Sequence, residues 1–150
     1  MGAPAQGKIL WPTLPCTCAN LRRAARSITR LYNHELRSEK IEITQLTLLM
    51  ALDRTGEISQ GRLGRLLALD STTLTRVLKP LKKQGWIQEQ EGDDRRVRII
   101  RLTAAGHAKL KQVLPHWARA QARIESTLGE ASMSKLEMLL TRVGAASARQ

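Results

Sequence analysis

A run of hydroxyl-bearing residues that ends in arginine lies near the middle of the chain, at residues 71–76. Hydroxyl and guanidinium groups form hydrogen bonds with base edges and phosphate oxygens, and a threonine methyl group can contact the methyl group of thymine. If the run begins a helix, the free N–H groups of its first turn also favour a phosphate. A helix cap on a solvated surface is the alternative interpretation. The candidate contact residues are Ser71, Thr72, Thr73, Thr75, Arg76 and Lys79.

A second cationic element is the polar run at residues 92–96, which has the composition of a tight turn and includes Arg95 and Arg96. A turn this short cannot bury two guanidinium groups, and arginine is favoured in the narrow, negative minor groove of DNA. A solvated turn in which Asp94 pairs with an arginine is the alternative. We expect Asp94 to orient one arginine while the other reaches the groove.

Leucine, isoleucine and valine at helical spacing predict four helices in the first two thirds of the chain. The first covers residues 21–36, and a tight turn at Leu69 separates the third from the fourth. The fourth carries the hydroxyl run, ends at Gly85 and should bend at Pro80, which lacks an amide hydrogen. The expected N-caps are Thr44 for the second helix, Ser59 for the third, and Asp70 or Ser71 for the fourth.

The period of the apolar residues then changes to two, which predicts strands at 86–90 and 97–102 joined by the turn at 92–96. A short third strand is expected at 57–58. Thr103 should begin a fifth helix, and a sixth should follow Ser132 or Ser134. The sequence therefore predicts a mainly α fold with six helices and a small β-hairpin wing, which is a winged helix-turn-helix.

Composition and charge restrict the partners of such a chain. The 150 residues fit one domain with helical extensions, and the formal net charge is +12. Charge of this size repels itself in a compact fold, so a polyanion is the expected partner: nucleic acid or an anionic membrane surface. A basic protein that is merely kept in solution is the alternative. No apolar run approaches the ~18 residues that a spanning helix needs, and residues 1–14 do not resemble a signal peptide, so we expect a cytoplasmic protein.

Three regions are expected along the chain. Residues 1–14 form an irregular arm, residues 43–103 a DNA-binding lobe, and residues 15–42 with 104–150 a helical dimerisation region. The last two helices carry more apolar residues than a small winged domain can cover, and a large exposed patch is unusual on a monomer. A two-fold homodimer would bury this surface and separate two fourth helices by about one DNA turn, roughly 34 Å.

Cys16 and Cys18 precede the first predicted helix, close to Arg22 and Arg23. Thiolates near cations and helix N-termini react readily with oxidants, which would make these residues a redox sensor. Binding of a soft metal together with a histidine and two inert thiols are the other interpretations. The three histidines, His34, His107 and His116, are scattered, so no metal site and no cofactor are predicted.

Several other classes of protein are less consistent with the sequence. We expect no enzyme, because no nucleophile–base pair, phosphate-binding glycine loop or set of four metal ligands is present. A peripheral membrane protein would need a basic amphipathic helix edged with aromatic residues. A non-specific architectural DNA-binding protein would use the same basic surface as a sequence-specific one, and so stays open.

Three segments resemble the MarR (multiple-antibiotic-resistance) family, and the likeness extends over residues 16–143. In the wing, the order Asp-x-Arg followed by Leu-Thr-x-x-Gly is the most specific of them, and each piece alone is weak. Pro80 is a modest departure. The segments are residues 43–49, residues 63–85, and Asp94-Arg95-Arg96 with Leu102, Thr103 and Gly106.

The resemblance implies a homodimer whose first and last helices interlock, and a palindromic DNA operator. It assigns the recognition helix to residues 70–84 and the minor-groove arginine to Arg96, with Arg95 close behind. It implies a transcriptional regulator, expected to be a repressor, that responds to a small aromatic ligand or to thiol oxidation. A phenolic ligand would occupy the cleft between the dimerisation helices and the DNA-binding lobe, beside the arginines of the first helix and Trp117.

Overall fold

The computed structural model describes residues 14–147, so the arm predicted at 1–14 lies, apart from Leu14, outside the described residues. This range contains six α-helices and a three-stranded antiparallel sheet, as the sequence predicts, and a short 3-10 turn at Arg37–Glu39. The helices are α1 (Thr17–Leu36), α2 (Ile43–Thr55), α3 (Gln60–Leu67), α4 (Ser71–Lys83), α5 (Ala104–Leu128) and α6 (Glu130–Ser147), and the strands are β1 (Ile58–Ser59), β2 (Ile87–Glu91) and β3 (Arg98–Leu102).

Helix starts follow local capping chemistry, which the apolar period alone did not always locate. The predicted cap of α2 at Thr44 is wrong: the N-cap is Glu42, two residues earlier, and the Glu42 N–H donates to Gln45 Oε1 at 3.0 Å. The Ser59 hydroxyl caps α3 by accepting from the Arg62 N–H, as predicted. Asp70 caps α4.

Two helices begin earlier than predicted. The first, α1, begins at Thr17 rather than Leu21, because its first turn is polar and carries no apolar period. The last, α6, begins at Glu130, before Ser132, because Gly129 at φ +77° breaks the chain direction and an acidic residue suits a helix N-terminus. Pro80 does not end α4, which continues to Lys83.

The sheet has the order β1-β3-β2, with β3 in the centre. Ile58 pairs with Ile100, and Ile87 pairs with Leu102 at the root of the hairpin. The short strand predicted at 57–58 is present one residue later. Because β1 leads directly into α3, the pairing of β1 with β3 attaches α3 to the wing.

A leucine-rich core holds all of these elements on one body. Leu46, Leu63 and Leu81 are fully buried, and they belong to the same cluster as Ile100 of β3 and Val113 of α5. Helix α4 and the wing are therefore mounted on a common, closely packed core, where the loss of a single large side chain would destabilise both.

The root of the wing is fixed against the start of α5. The Thr103 hydroxyl donates to the Gly85 carbonyl at 2.6 Å, and the Thr103 N–H donates to the Trp86 carbonyl at 3.0 Å. Gly106 is buried beside Trp86, the residue just before β2, and a Cβ built on Gly106 would overlap the Trp86 carbonyl oxygen. The Lys109 ammonium lies 5.3 Å from the centre of the Trp86 ring, within range of a cation–π contact.

A cluster that we call the ionic seam joins the turn between α1 and α2 to α5. The Glu39 carboxylate accepts from Lys109 Nζ at 3.0 Å and lies 3.2 Å from Nε2 of His116. Lys109 also donates to the Glu39 carbonyl, so its ammonium is almost fully engaged. Burial alone would raise the pKa of Glu35, but hydrogen bonds from Arg123 and Arg119 outweigh it and lower that pKa. The ionic seam consists of Glu35, Glu39, Lys109, His116, Arg119 and Arg123.

Large apolar side chains remain exposed on α6 and on one face of α1. Met138 is 52% exposed and Leu140 is 49% exposed, although both lie in a regular helix. Leu21 and Ile28 of α1 are similarly uncovered. No helix within residues 14–147 has both the length and the apolar character of a membrane span.

Candidate nucleic-acid interface

The N-terminus of α4 is organised by Asp70. Its carboxylate accepts from the Thr73 N–H at 2.8 Å and from the Thr73 hydroxyl at 2.7 Å. These hydrogen bonds, the side-chain bond first, lower the pKa of Asp70 below its ordinary value. The Thr73 hydroxyl is thus committed to the cap, and Thr73 lines a separate cavity next to Thr44 and Gln45 of α2. Of the predicted contact residues, Thr73 is the one that this cap draws away from an outward role.

The remaining residues of α4 lie on three faces of the helix. Leu74, Leu78 and Leu81 are buried in the core. A row of exposed side chains runs along the opposite face at spacings of three or four residues, where neighbours on a helix share a face. A flank beside the wing carries Ser71, Thr75 and Lys82. The exposed row consists of Thr72, Arg76, Lys79 and Lys83.

The start of α4 and the wing share one concave surface. Ser71 and Arg96 both line an open cavity of about 610 Å³ between α3, α4 and the hairpin. The guanidinium-bearing residues Arg65 and Arg98 also line it, and its floor is apolar. The two elements predicted to contact DNA therefore face the same side of the molecule.

Asp94 orders the wing tip through the backbone. Its carboxylate accepts from the Arg96 N–H at 2.9 Å, and its carbonyl accepts from the Val97 N–H at 2.8 Å. The sequence predicts that Asp94 orients an arginine side chain. In the structure Asp94 instead shapes the turn, through bonds to backbone N–H groups. Arg95 and Arg96 are both exposed, and neither has an ion-pair partner among residues 14–147.

The cations near this surface fall into paired and unpaired groups. Lys82 pairs with Glu89 at 2.9 Å, and Arg98 pairs with Glu89 and Glu91. Five exposed cations of α4 and the wing have no carboxylate partner within the described residues, and we call them the cationic face: Arg76, Lys79, Lys83, Arg95 and Arg96. A cationic surface without internal partners fits the phosphates of a nucleic acid.

Two residues of this surface were not among the predicted contacts. A lysine at the end of a helix, such as Lys83, can simply interact with the helix dipole. The spacing of Lys83 from Lys79 and Arg76 nevertheless places it on the same exposed row, and this spacing could have identified it as a contact residue. Arg65 belongs to α3 and lines the shared cavity. Only the packing of α3 against the wing brings Arg65 there, so the sequence held no local signal.

The cysteines lie at the start of α1, which is not one of the elements that form this interface. Cys16 is the N-cap of α1 and Cys18 lies in its first turn, and both are free and exposed. The histidines belong to α1 and α5. Among residues 14–147, no group of three or more His, Cys, Asp or Glu side chains is arranged to hold a metal ion.

Comparison with solved structures gives close matches to the whole fold. The DNA complex of the transcriptional regulator MosR of M. tuberculosis is 28% identical, with a TM-score of 0.80 over 90% of this chain and 99% of that one. A probable transcriptional regulator from Pseudomonas aeruginosa is 29% identical, with a TM-score of 0.78 over 86% and 97% of the two chains. Both matches span the winged lobe and the flanking helices.

Curated relatives give a consistent result over a shorter region. The transcriptional repressor MprA of Escherichia coli K12 is 30% identical over 114 residues, which are 74% of this chain and 65% of that protein. The regulator SarZ of Staphylococcus haemolyticus is 33% identical over 59% of this chain and 61% of that protein. The matched regions thus span about two thirds of these relatives.

The model of the MarR family matches residues 41–97, which hold α2, α3, α4 and β2 and end before β3. Residues 41–97 therefore form a MarR-family domain, within a chain that has the winged helix-turn-helix fold.

Proposed function

We propose that this protein is a homodimeric, sequence-specific DNA-binding transcriptional regulator that represses from a palindromic operator. One observation carries the proposal: Ser71 at the start of α4 and Arg96 of the wing line the same open cavity, so one duplex can contact both. The cationic face contributes Arg96 to that cavity, and Lys79 and Lys83 line the neighbouring one, so both supply unpaired positive charge. The similar regulator MosR has been solved in complex with DNA, which supports DNA as the partner.

In this proposal, α4 lies in the major groove, about 12 Å wide, with its exposed row towards the duplex. Ser71, Thr72 and Arg76 are nearest its N-terminus and contact base edges or phosphates. Lys79 and Lys83 neutralise phosphates along the groove. Arg96, with Arg95 beside it, enters the adjacent minor groove, where arginine is favoured by the negative potential.

The dimer is supported by the exposed apolar residues of α6 and α1, including Met138, Leu140 and Ile28. An apolar surface of this kind is normally covered by a partner. We assign 15–42 and 104–150 to the dimerisation region and 43–103 to the DNA-binding lobe. Two-fold symmetry then places the two copies of α4 about one DNA turn apart, roughly 34 Å.

Release from DNA by a signal is the second part of the proposal. Cys16 and Cys18 are exposed at the start of α1, where a thiolate benefits from the helix N-terminus. Oxidation at this position, or binding of a small aromatic molecule in the cleft beside α1 and α2, would alter the dimerisation helices that set the spacing of the two lobes.

Selection of bound duplexes from a random pool tests the DNA-binding part. We expect enrichment of a palindrome with half-sites one helical turn apart, and an affinity that falls with salt at a slope of about −0.9 per phosphate neutralised. Equal affinity for random duplex would instead favour the non-specific architectural alternative. Absence of binding at low salt would contradict both.

The same binding assay, repeated with oxidant and with reductant, tests the signal. If the thiols are the sensor, oxidant should release the wild-type protein from its operator, while the double variant Cys16→Ser, Cys18→Ser should stay bound. Release of both proteins by oxidant would contradict sensing by these thiols. Release by a phenolic acid under reducing conditions would assign the signal to the ligand cleft.

A further inference from the structure

Gln60 lies where the wing, α3 and the recognition helix meet. It is the first residue of α3 and follows Ser59, which pairs with Ile99 of the central wing strand. Its amide nitrogen Nε2 donates to the hydroxyl oxygen of Thr75 on α4 at 3.2 Å. Gln60 therefore connects the strand that carries the wing to the helix proposed to enter the major groove.

The hydrogen bonds of Thr75 fix the direction of the Gln60 amide. The Thr75 hydroxyl donates its one proton to the Ser71 carbonyl at 2.8 Å, so towards Gln60 it can only accept. A donor must face it, which places Nε2 of Gln60 inward and its carbonyl oxygen Oε1 away from Thr75. The amide then retains one acceptor, Oε1, and the second N–H of Nε2 for another partner.

The position of Gln60 on the surface suits such a partner. Gln60 lines both the 610 Å³ cavity that holds Ser71 and Arg96 and a neighbouring open cavity of about 410 Å³ lined by Lys79 and Lys83. It forms the ridge between these two hollows, in the middle of the surface proposed to face the duplex. Any duplex that contacts both hollows passes over it.

We propose that Gln60 is a specificity-determining residue that recognises an adenine, with Thr75 as the residue that orients it. The donor and acceptor left on the amide match the N7 acceptor and N6 amino donor that adenine presents in the major groove. Because the Thr75 proton is already used, Thr75 itself has no hydrogen to donate to a base. This inference rests on the proposed DNA-binding function.

Selection from the random pool tests it with Gln60→Ala and Gln60→Glu beside the wild type. Wild type should enrich an A·T pair at one position of each half-site. Gln60→Ala should lose that preference by about tenfold and keep the rest of the motif. Gln60→Glu should shift it towards C·G, because a carboxylate accepts from the cytosine amino group.

Two further variants separate recognition from structure. Thr75→Val keeps the size of the side chain but removes the acceptor that orients the amide, so it should weaken the preference at the same position. Gln112→Ala changes an exposed glutamine of α5 and should leave the motif unchanged. Thermal unfolding of each variant checks the fold.

The inference fails if Gln60→Ala retains the wild-type motif, or if it lowers affinity for all sequences equally, as a phosphate contact would. These results differ from failure of the proposed function itself, in which the wild type would enrich no motif at all. That last result would remove both.

Discussion

The ionic seam and the cationic face contain the same kinds of residue in opposite electrostatic situations. In the seam, Lys109 and Glu39 are only 12% and 13% exposed and lie 3.0 Å apart. On the cationic face, Arg76 and Arg96 are exposed and have no carboxylate partner within the described residues. The least exposed ion pair thus lies where α5 meets the turn between α1 and α2, whereas the exposed cations of α4 and the wing include five without a carboxylate partner within the described residues.

This difference predicts which charged residues stabilise the fold and which are available to contact a ligand. Removal of one member of a largely enclosed pair lowers the stability of the fold, because the other charge is left without its partner. An exposed, unpaired cation adds repulsion within a chain of net charge +12, so its removal should leave the fold intact or make it more stable. Variants in the seam should therefore change unfolding, and variants on the face should change DNA binding.

The largest effect is expected at Gly106, where α5 rests on the root of the wing. Gly106→Ala places a methyl group against the Trp86 carbonyl, which is backbone and cannot rotate away. We expect a loss of about 3 kcal/mol or more in the free energy of unfolding, measured with denaturant. Gly61→Ala is the matched control, because its Cβ would meet only the flexible end of Arg65 at 3.9 Å. Equal stability of the two variants would show that the contact between α5 and the wing root is loose.

The next effect compares a paired carboxylate in the seam with one on the surface. Glu39→Gln removes the charge that faces Lys109 and His116, and we expect a loss of about 2 kcal/mol in stability. Glu57→Gln breaks a pair with Arg101 in which both side chains are about half exposed, and it should change stability by less than about 1 kcal/mol. Denaturant unfolding of both variants measures the difference. Similar losses in the two variants would mean that the lower exposure of the Glu39–Lys109 pair adds nothing to its contribution to stability.

The third effect compares an unpaired and a paired arginine of the wing. Arg96→Ala should weaken operator binding by about tenfold or more, reduce the salt dependence and leave the unfolding midpoint unchanged. Arg101→Ala removes an arginine that already pairs with Glu57 at 3.0 Å, and it should have a smaller effect on affinity. Titration of a labelled operator at two salt concentrations checks both. If Arg96→Ala and Arg101→Ala bind the operator with equal affinity, the lack of an ion-pair partner does not identify the residues that contact DNA.

Most of the fold could be predicted because its signals are local. Helical spacing located the helices, and Ser59 and Gly85 marked boundaries where a side-chain cap or a positive φ is needed. The misplaced starts of α1 and α2 have the same cause, since neither the polar N-terminal end of α1 nor the bond between Glu42 and Gln45 leaves a trace in the apolar period.

The candidate site and the ionic seam were predictable only in part, since a contact in each depends on tertiary packing. The hydroxyl run and the two wing arginines were visible as residue types in a plausible context. The bond from Gln60 to Thr75 joins residues 15 positions apart, and the bond from Lys109 to Glu39 joins residues 70 positions apart. No periodicity specifies which polar side chains meet across such distances. The commitment of Thr73 to its cap likewise required the position of the Asp70 carboxylate.

The smallest effect concerns Asp70, a carboxylate beside the cationic face that is held by hydrogen bonds instead of by a cation. Thr73 lowers the pKa of Asp70 below its ordinary value of 3.8, so the ionised form is the one that stabilises the fold. That stabilisation is present above about pH 4 and is lost as the pH falls through the lowered pKa of the folded state.

Asp70→Asn should therefore be slightly less stable than the wild type near pH 7, and the gap should narrow as the pH falls below 4. Thermal unfolding across this range measures it, with Asp93→Asn as the control because the Asp93 side chain forms no hydrogen bond within the described residues. A gap that stays constant down to pH 2 would mean that the charge of Asp70 adds nothing to the cap. In that case the bonds between Asp70 and Thr73 would stabilise the helix start equally well with a neutral side chain, and the charge of Asp70 would not interact measurably with the nearby cations.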